Sequence, residues 1–346
     1  MEEEKTELQE KSTKKEIIKK YAKNLLDYII KTMNGMAFGL FSTLIIGVIF
    51  SQLGKLFNFG FFTELGTILK GLMGAGIGIG VAWSKKLDGL KLICGGICGA
   101  IATKVASDPL VAYLCTIAGI EVVALILRKK TPVDIIIIPL LSSLVAYSAA
   151  KLIGEPIAST MTAIGNFIEY ATTIQPFFMG IVIAVLMGMA LTAPISSAAI
   201  AASIHLSGLA GGAAVVGCCV QMLGFAVMSR KDNNIGTVIS VGIGTSMLQF
   251  KNILKKPIIW LPTIIASAIL GPFATLVFKT ACSESGAGMG TSGLVGQIGT
   301  FEAMGNTPSC YLSILILQIA LPIILVWIID LIFRKLNLIK EGDLKI

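Results

Sequence analysis

"SESGAGMGTSGLVGQIGTFEAMGNTPS" (residues 283–309) lies between two long oily stretches and holds seven glycines, the carboxylates Glu284 and Glu302, and not one Lys or Arg. An ordinary spanning helix is disfavoured there, since each interior glycine costs about 0.8–1 kcal/mol relative to alanine. The segment is also too poor in charge to read as a long solvated loop. The remaining reading is a segment that dips back into the protein interior, where glycine permits tight turns and close approach of the backbone to a small ligand. Its polar contacts would be Glu302, Gln297, Thr300 and Asn306. Carboxylates and amides suit sugar hydroxyls, whereas an anionic solute would call for cations. A flexible external loop is the alternative.

The rest of the chain sets the solvent for that segment. Of 346 residues, 55% are hydrophobic and only 14% charged, against about 25% charged in a typical soluble domain. Mean hydropathy is +0.85. About ten apolar runs approach the roughly 20 residues that a helix needs to cross hydrocarbon. Backbone groups in lipid must be satisfied internally, which selects helices. The expected fold is an all-α polytopic membrane protein of about ten transmembrane helices. The excess of 28 basic over 20 acidic residues sits in short clusters between apolar runs. That is how Lys and Arg fix membrane orientation, and it argues against nucleic-acid binding.

The expected spans are roughly 36–57, 65–84, 90–107, 109–127, 132–153, 177–204, 207–228, 235–250, 257–278 and 311–333. Residues 1–31 read as a cytoplasmic basic segment, with Ile18, Tyr21, Ala22, Leu25 and Ile29 spaced as the apolar face of an amphipathic helix on an anionic leaflet. No secretory cleavage signal accompanies it, so it is expected to remain on the mature protein. With ten spans the clusters at Lys14–Lys31, Lys85/Lys86, Arg128–Lys130, Lys251/Lys255/Lys256 and Arg334/Lys335 fall on one side, cytoplasmic with both termini, and Arg230/Lys231 on the other. Pro194 interrupts the 177–204 run. A reversal at that proline would give eleven segments and bring Arg230/Lys231 inside. A shift of 145 residues lays Gly35 on Gly180, Gly66 on Gly211 and Gly99 on Gly244, which suggests inverted five-span repeats, 32–175 and 176–335, within one transport domain over 32–346.

Polar groups inside such runs are costly and therefore candidates for function. "LTAPISSAAIAASIHLSG" (191–208) gathers Thr192, Ser196, Ser197 and Ser203 around the break and ends at His205, the single histidine. A broken helix at membrane depth belongs where it lines a wet cavity or is buried in protein. Glu121, in the fourth span, is expected to pair with Lys104, to snorkel, or to contact a solute. Gln221 and Gln318 read as helix-to-helix hydrogen bonds. The candidate solute site is thus Glu302, Gln297, Thr300, Asn306, Thr192, Ser196, His205 and Glu121. The seven cysteines read as packing residues, with Cys282 and Cys310 able to pair on an oxidising side. No metal set, phosphate-cradling loop, zinc-protease motif or Cys-x-x-Cys is present, so no cofactor, metal or catalytic residue is expected. Any transport would draw on an ion gradient or a separate partner.

The stretches "GIVIAVLMGMALTAPISSAAIA" (180–201), "GLAGGAAVVGCCVQMLGFAVMSRKDN" (208–233), "IGTVISVGIGTSMLQFKNILKKP" (235–257) and "GMGTSGLVGQIGTF" (288–301) resemble the membrane subunit, enzyme IIC, of the bacterial sugar phosphotransferase system, in the branch that includes perfringolysin-regulator-type proteins. The resemblance implies a homodimeric permease of the bacterial cytoplasmic membrane that binds a sugar. It also implies separate IIA/IIB-type phosphocarrier proteins that modify the sugar, since no phosphorylation-site domain is evident on this chain. A histidine and a glutamate near re-entrant hairpins hold the sugar in such proteins; Glu302 in "GQIGTFEAMG" matches best, and His205 more weakly. A membrane-embedded regulator or sensor, or a carrier of another solute without phosphotransfer, are the other readings.

Overall fold

The computed structural model describes residues 21, 23–87, 89–127, 131–172 and 175–346. The predicted amphipathic segment up to residue 20, and the 128–130 cluster, lie outside them. The first half runs α1 (Lys23–Gly54), α2 (Gly60–Gly71), α3 (Met73–Ser84), α4 (Gly89–Val105), α5 (Pro109–Ile126) and α6 (Asp134–Thr172). The second runs α7 (Pro176–Thr192), α8 (Ser197–Ser203), α9 (Gly208–Ser229), α10 (Ile235–Gly244), α11 (Phe250–Lys255), α12 (Pro257–Val277), α13 (Glu284–Ala287), α14 (Val295–Met304) and α15 (Pro308–Lys335). Among the described residues the only β pairing is an isolated bridge between Gly208 and Cys282. The fold is therefore all-α and polytopic.

The count of ten spans is not met. Among the described residues six helices are long and apolar enough to cross a membrane, and seven if α2 and α3, bent by 51° at their junction, form one span. Expected spans at 90–107, 177–204 and 235–250 correspond to α4, α7 and α10, of 17, 17 and ten residues. The contacts explain why the last two are short: each is half of a segment that turns back.

The first turn-back covers residues 176–207. α7 runs alongside α9 in the same direction, because Ala184 packs on Gly217 while Thr192, two turns later, bonds Gln221 at 3.2 Å. Thr275 at the end of α12 donates to the Pro176 carbonyl and the Thr280 carbonyl packs on Gly212, so α7 and α9 start at the same end. The chain must therefore reverse at Ala193–Ser196, and α8 carries it back. Pro194 has ended the helix as its missing N–H requires.

A second turn-back, 235–255, enters from the opposite end. Asn233, before it, bonds the Leu344 carbonyl at 2.8 Å, and Asn252, near its close, bonds the Lys345 carbonyl at 3.1 Å. Both its ends are thus tied to one short C-terminal strap, and Thr245, in an extended conformation, breaks it at the tip. The strap is further fixed by Asp232, which accepts from the Gly342 and Leu344 N–H groups at 2.9 and 3.0 Å, and by a 2.6 Å Lys256–Asp343 pair. Burial tends to raise the Asp343 carboxyl, but the Lys256 ammonium and the Lys340 N–H hold it below the usual carboxylate value. Arg230 stands 3.9 Å from the fully buried Asp330, which also pairs with Arg334 at 2.9 Å. Arg230/Lys231, Lys256 and Arg334/Lys335 therefore share one end. The expectation that Arg230/Lys231 faces away from the others is overturned, because the 235–250 run does not cross.

The glycine-rich segment is the third turn-back. Ser283 bonds Glu302 at 2.9 Å, closing its base, while Gly290 at its tip packs on Cys218, halfway along α9. Gly290 and Gly293 have φ of +53° and +54°, which glycine alone tolerates without cost. The expected dip into the interior is what the structure shows. All three tips meet. Ser197 donates to the Gly288 carbonyl at 2.7 Å, Thr192 and Ser246 hydroxyls lie 2.8 Å apart, and Thr291 and Ser292 donate to the carbonyls of Gly242 and Gly244.

Close helix contacts come from small residues. Gly35 packs on Gly80, Gly78 on Gly95, and Gly180 on Gly271. Gly35 and Gly180, superposed by the 145-residue shift, thus have partners that the shift does not relate. The apolar window of α9 is 89% buried against 22% for α6, so α9 is an interior post and α6 lies at the periphery.

Two stability outcomes follow. Any side chain on Gly217 would overlap the Ala184 carbonyl, whereas one on Gly60 meets open space. Gly217→Val should lower the apparent melting temperature in detergent steeply, through overpacking of about 1–3 kcal/mol or more, while Gly60→Ala leaves it within a degree or raises it. Ser292→Ala strands the Gly244 carbonyl at the hairpin tip and should cost about 1–3 kcal/mol, read in the same melting assay. Equal melting of Gly217→Val and Gly60→Ala would contradict the packing described.

Candidate functional site

The eight residues singled out in the sequence fall at separate places. Glu302 and His205 sit at the bases of two turn-backs on the end away from the strap. His205, with φ +50° and a side chain 83% exposed, places Nδ1 3.0 Å from Glu284 Oε1. Glu302 accepts from Ser283 and Ser285 hydroxyls at 2.9 and 3.4 Å. These two pairs are neighbours through Ser283 and Glu284, so the structure does bring the histidine to the carboxylate rim. Asn306, exposed, accepts from the Tyr311 hydroxyl at 2.9 Å.

Gln297 and Thr300 are buried on α14 and face α15. Gln297 Nε2 donates to Gln318 Oε1 at 3.1 Å, and Gln318 Nε2 donates to the Thr300 hydroxyl at 2.7 Å. They seat the hairpin against α15. Thr192 is buried at the break, between Ser246 and Gln221. Gln221 Oε1 also accepts from Trp260 Nε1 and the Thr263 hydroxyl, both at 3.0 Å, which makes Gln221 and Gln318 the interhelical bonds expected. Glu121 lies apart from all of these. Its partners are Lys85 and, at 2.6 Å, the Tyr28 hydroxyl. Lys85 replaces the expected Lys104 because the tight packing of α3 on α4 brings the end of α3 beside α5.

Ser196 lines a cavity of about 560 Å³ between the α4–α5 turn, α6 and the first turn-back. This volume lies within the range of small-molecule sites. Its polar wall is Ser107, Asp108, Lys151, Glu155, Thr162 and Ser196; its apolar wall includes Val111, Ile157 and Ile200. Asp108 is placed by local sequence. It caps α5 just ahead of Pro109, with Oδ1 accepting from the Leu110 N–H at 2.7 Å and the Val111 N–H at 3.4 Å. Lys151 and Glu155, one turn apart on α6, share its face.

Sequence reasoning passed over Asp108, Lys151 and Glu155. A signal was present, namely two opposite charges one turn apart in the middle of a long, mostly apolar helix, which reads as an intramembrane functional pair. Ending the fifth span at 153 divided that pair. The partnership with Ser196 had no sequence signal, because it depends on the reversal at Pro194.

All seven cysteines are free and buried, so Cys282 and Cys310 are not paired. Among the described residues no group of three or more His, Cys, Asp or Glu is arranged to hold a metal. The arrangement offers hydroxyls, carboxylates and one ammonium around a solute-sized space, flanked by broken helices.

No curated protein and no solved structure matches the chain. Residues 30–346 match the family described as phosphotransferase system, EIIC. The match takes in α1 from residue 30, the other five described helices able to cross a membrane and all three turn-backs, and on it the chain belongs to the EIIC family of the phosphotransferase system, as a multi-pass permease component of a membrane.

Proposed function

We propose that the chain carries a sugar or similar polyhydroxylated solute, bound in the cavity between the α4–α5 turn, α6 and the Pro194 break. The supporting observation is the juxtaposition of Ser196, at a broken helix, with Asp108 and Glu155 across about 560 Å³. Carboxylates accept from several hydroxyls at once, and serine and threonine hydroxyls both donate and accept. Such a wall suits a neutral polyol better than an apolar or anionic compound.

The basic end, with Arg230, Lys256 and Arg334, faces the cytoplasm by the charge rule for membrane orientation. Both described termini then lie inside, in the bacterial cytoplasmic membrane. His205, Glu284 and Glu302 face the opposite side and line the approach to the site. Separate IIA/IIB-type phosphocarriers meet the permease at the basic face, and the working unit is a homodimer. The turn-backs, tied tip to tip, move as one body against α4–α6 to open the cavity to either side.

A panel of mono- and disaccharides and polyols scanned against the melting temperature of the purified full chain tests the reading. A ligand at a hundredfold excess over its dissociation constant should add about 2.7 kcal/mol of stability. Glu155→Gln should weaken that ligand about tenfold and Ser196→Ala about threefold to tenfold, matching the loss of a charged and a neutral hydrogen bond. Absence of a response to every compound in the panel would sink the assignment.

A further inference from the structure

The turn between α3 and α4 closes a small cavity, of about 50 Å³, against α5 and α6. This lies at the end of the bundle that carries the strap. α1 fixes the level: Phe41 meets Gly244 at the tip of 235–255, Met33 shares a wall with Lys251 nearer its base, and the still earlier Tyr28 reaches Lys85 beside the cavity. Lys85, Lys91 and Ser142 give the cavity its polar atoms, and Leu87, Ile120, Val123 and Ile138 its apolar wall. Among the described residues no carboxylate lines it. Lys85 is held in place, since its Nζ bonds Glu121, stands 3.4 Å from the Tyr28 hydroxyl and lies 4.8 Å from the centre of the Tyr28 ring. An ammonium has three donors, so one remains for a ligand while Glu121 balances the charge. Lys91, half-buried, has no ion-pair partner among the described residues. The wall therefore presents one uncompensated positive charge.

Size and depth narrow what fits. One water needs about 10–15 Å³ of such space, so the cavity takes a group about the size of three or four waters: a phosphate fits and a sugar ring does not. Trp83, just before Lys85, is exposed and meets Phe38 edge-on, as aromatic side chains do at the level of lipid headgroups. Next to the lining residues Cys94, Ala124 and Ile138, the side chains of Ile93, Leu125 and Ile137 are exposed. An apolar surface thus leads away from a cationic recess. In the sequence Lys86 belongs to the same turn and Arg128, Lys129 and Lys130 follow α5, against Asp88 and Asp134, so the surroundings are net positive as well.

We propose that this recess binds an anionic phospholipid, with the phosphate between Lys85 and Lys91 and the acyl chains running along the exposed aliphatic side chains of α4 and α6. A phosphodiester with a single negative charge, as in phosphatidylglycerol, matches the single uncompensated ammonium. Phosphatidylcholine matches it worse, because its choline group brings a second cation to a basic surface. Free phosphate lacks the chains whose burial supplies most of a lipid's affinity. A lipid seated there clasps the α3–α4 turn to α5 and α6.

The test uses the purified full chain in nanodiscs of phosphatidylcholine alone and of phosphatidylcholine mixed with phosphatidylglycerol, with melting temperature and native mass spectrometry of retained lipid as readouts. Phosphatidylglycerol should raise the melting temperature and be retained in preference to phosphatidylcholine. Lys91→Gln should weaken that retention about fivefold, the share of one lysine at an anionic headgroup, and Lys91→Arg should preserve it. Lys335→Gln, at the same end but outside the cavity, should leave it unchanged. Should Lys91→Gln fold poorly, Ala124→Phe gives a second check, since it fills the rim from an exposed position and should cost retention with every charge intact. Equal retention of the two lipids by the unaltered chain would overturn the proposal, as would equal losses for Lys91→Gln and Lys335→Gln, which mark diffuse attraction to the basic end. Inorganic phosphate and glycerol phosphate, added at matched ionic strength in detergent, should leave the melting temperature unmoved. A response to either as large as that to the lipid makes the recess a soluble-anion site and sinks the lipid assignment.

Discussion

A carbonyl freed by a helix break at membrane depth has no water to turn to, and the fold is organised around meeting that demand three times in one place. The tips of 176–207, 235–255 and 284–305 pair with one another through serine and threonine hydroxyls. Each hydroxyl donates to a carbonyl or hydroxyl exposed by another segment's break. None of the three tips would be affordable alone in hydrocarbon, where an unsatisfied group costs several kcal/mol. Together they form a polar knot beside the middle of α9. Ser196 stands at the edge of that knot and faces the cavity.

Bringing the tips together requires backbones to approach closely, and small residues at the contacts allow it. Gly217 admits the Ala184 carbonyl, Gly180 meets Gly271, and Gly290 rests on Cys218. The abundance of glycine in an otherwise aliphatic chain thus has a definite role, since van der Waals contact and interhelical bonds replace the hydrophobic effect as the cause of helix association in lipid. α9 gains most from this and is enclosed nearly all round. By contrast α10 turns Ile235, Ile239 and Ile243 outward and lies at the surface of the chain.

Much of this was legible in the sequence and some was not, for physical reasons. Glycine spacing in 283–309 with no cation gave the inward dip, and Pro194 marked a break whose reversal was one of two readings. The run 235–250 misled because its break, at Gly244–Thr245, involves neither proline nor charge; an apolar stretch of that length looks continuous. Counting it as a crossing displaced Arg230/Lys231 to the wrong end. Gln297, Thr300 and Thr192, read from the sequence as solute contacts, bond neighbouring segments in the structure, because a buried polar group needs a partner whether or not a solute is present. Asp108 and Glu155 escaped notice because the cavity is assembled from segments 40 to 90 positions apart, and no local pattern records such a meeting.

The seating of the glycine-rich hairpin has a consequence for biogenesis. Gln297 and Thr300 bond to Gln318, on α15, which the ribosome makes after them. The hairpin's tip can dock on segments made before it, since Thr291 and Ser292 donate to the Gly242 and Gly244 carbonyls and Ser197 donates to the Gly288 carbonyl, but its amide contact has no partner until α15 is made. The face of the hairpin that carries Gln297 and Thr300 is therefore seated in a second step, when α15 arrives beside it.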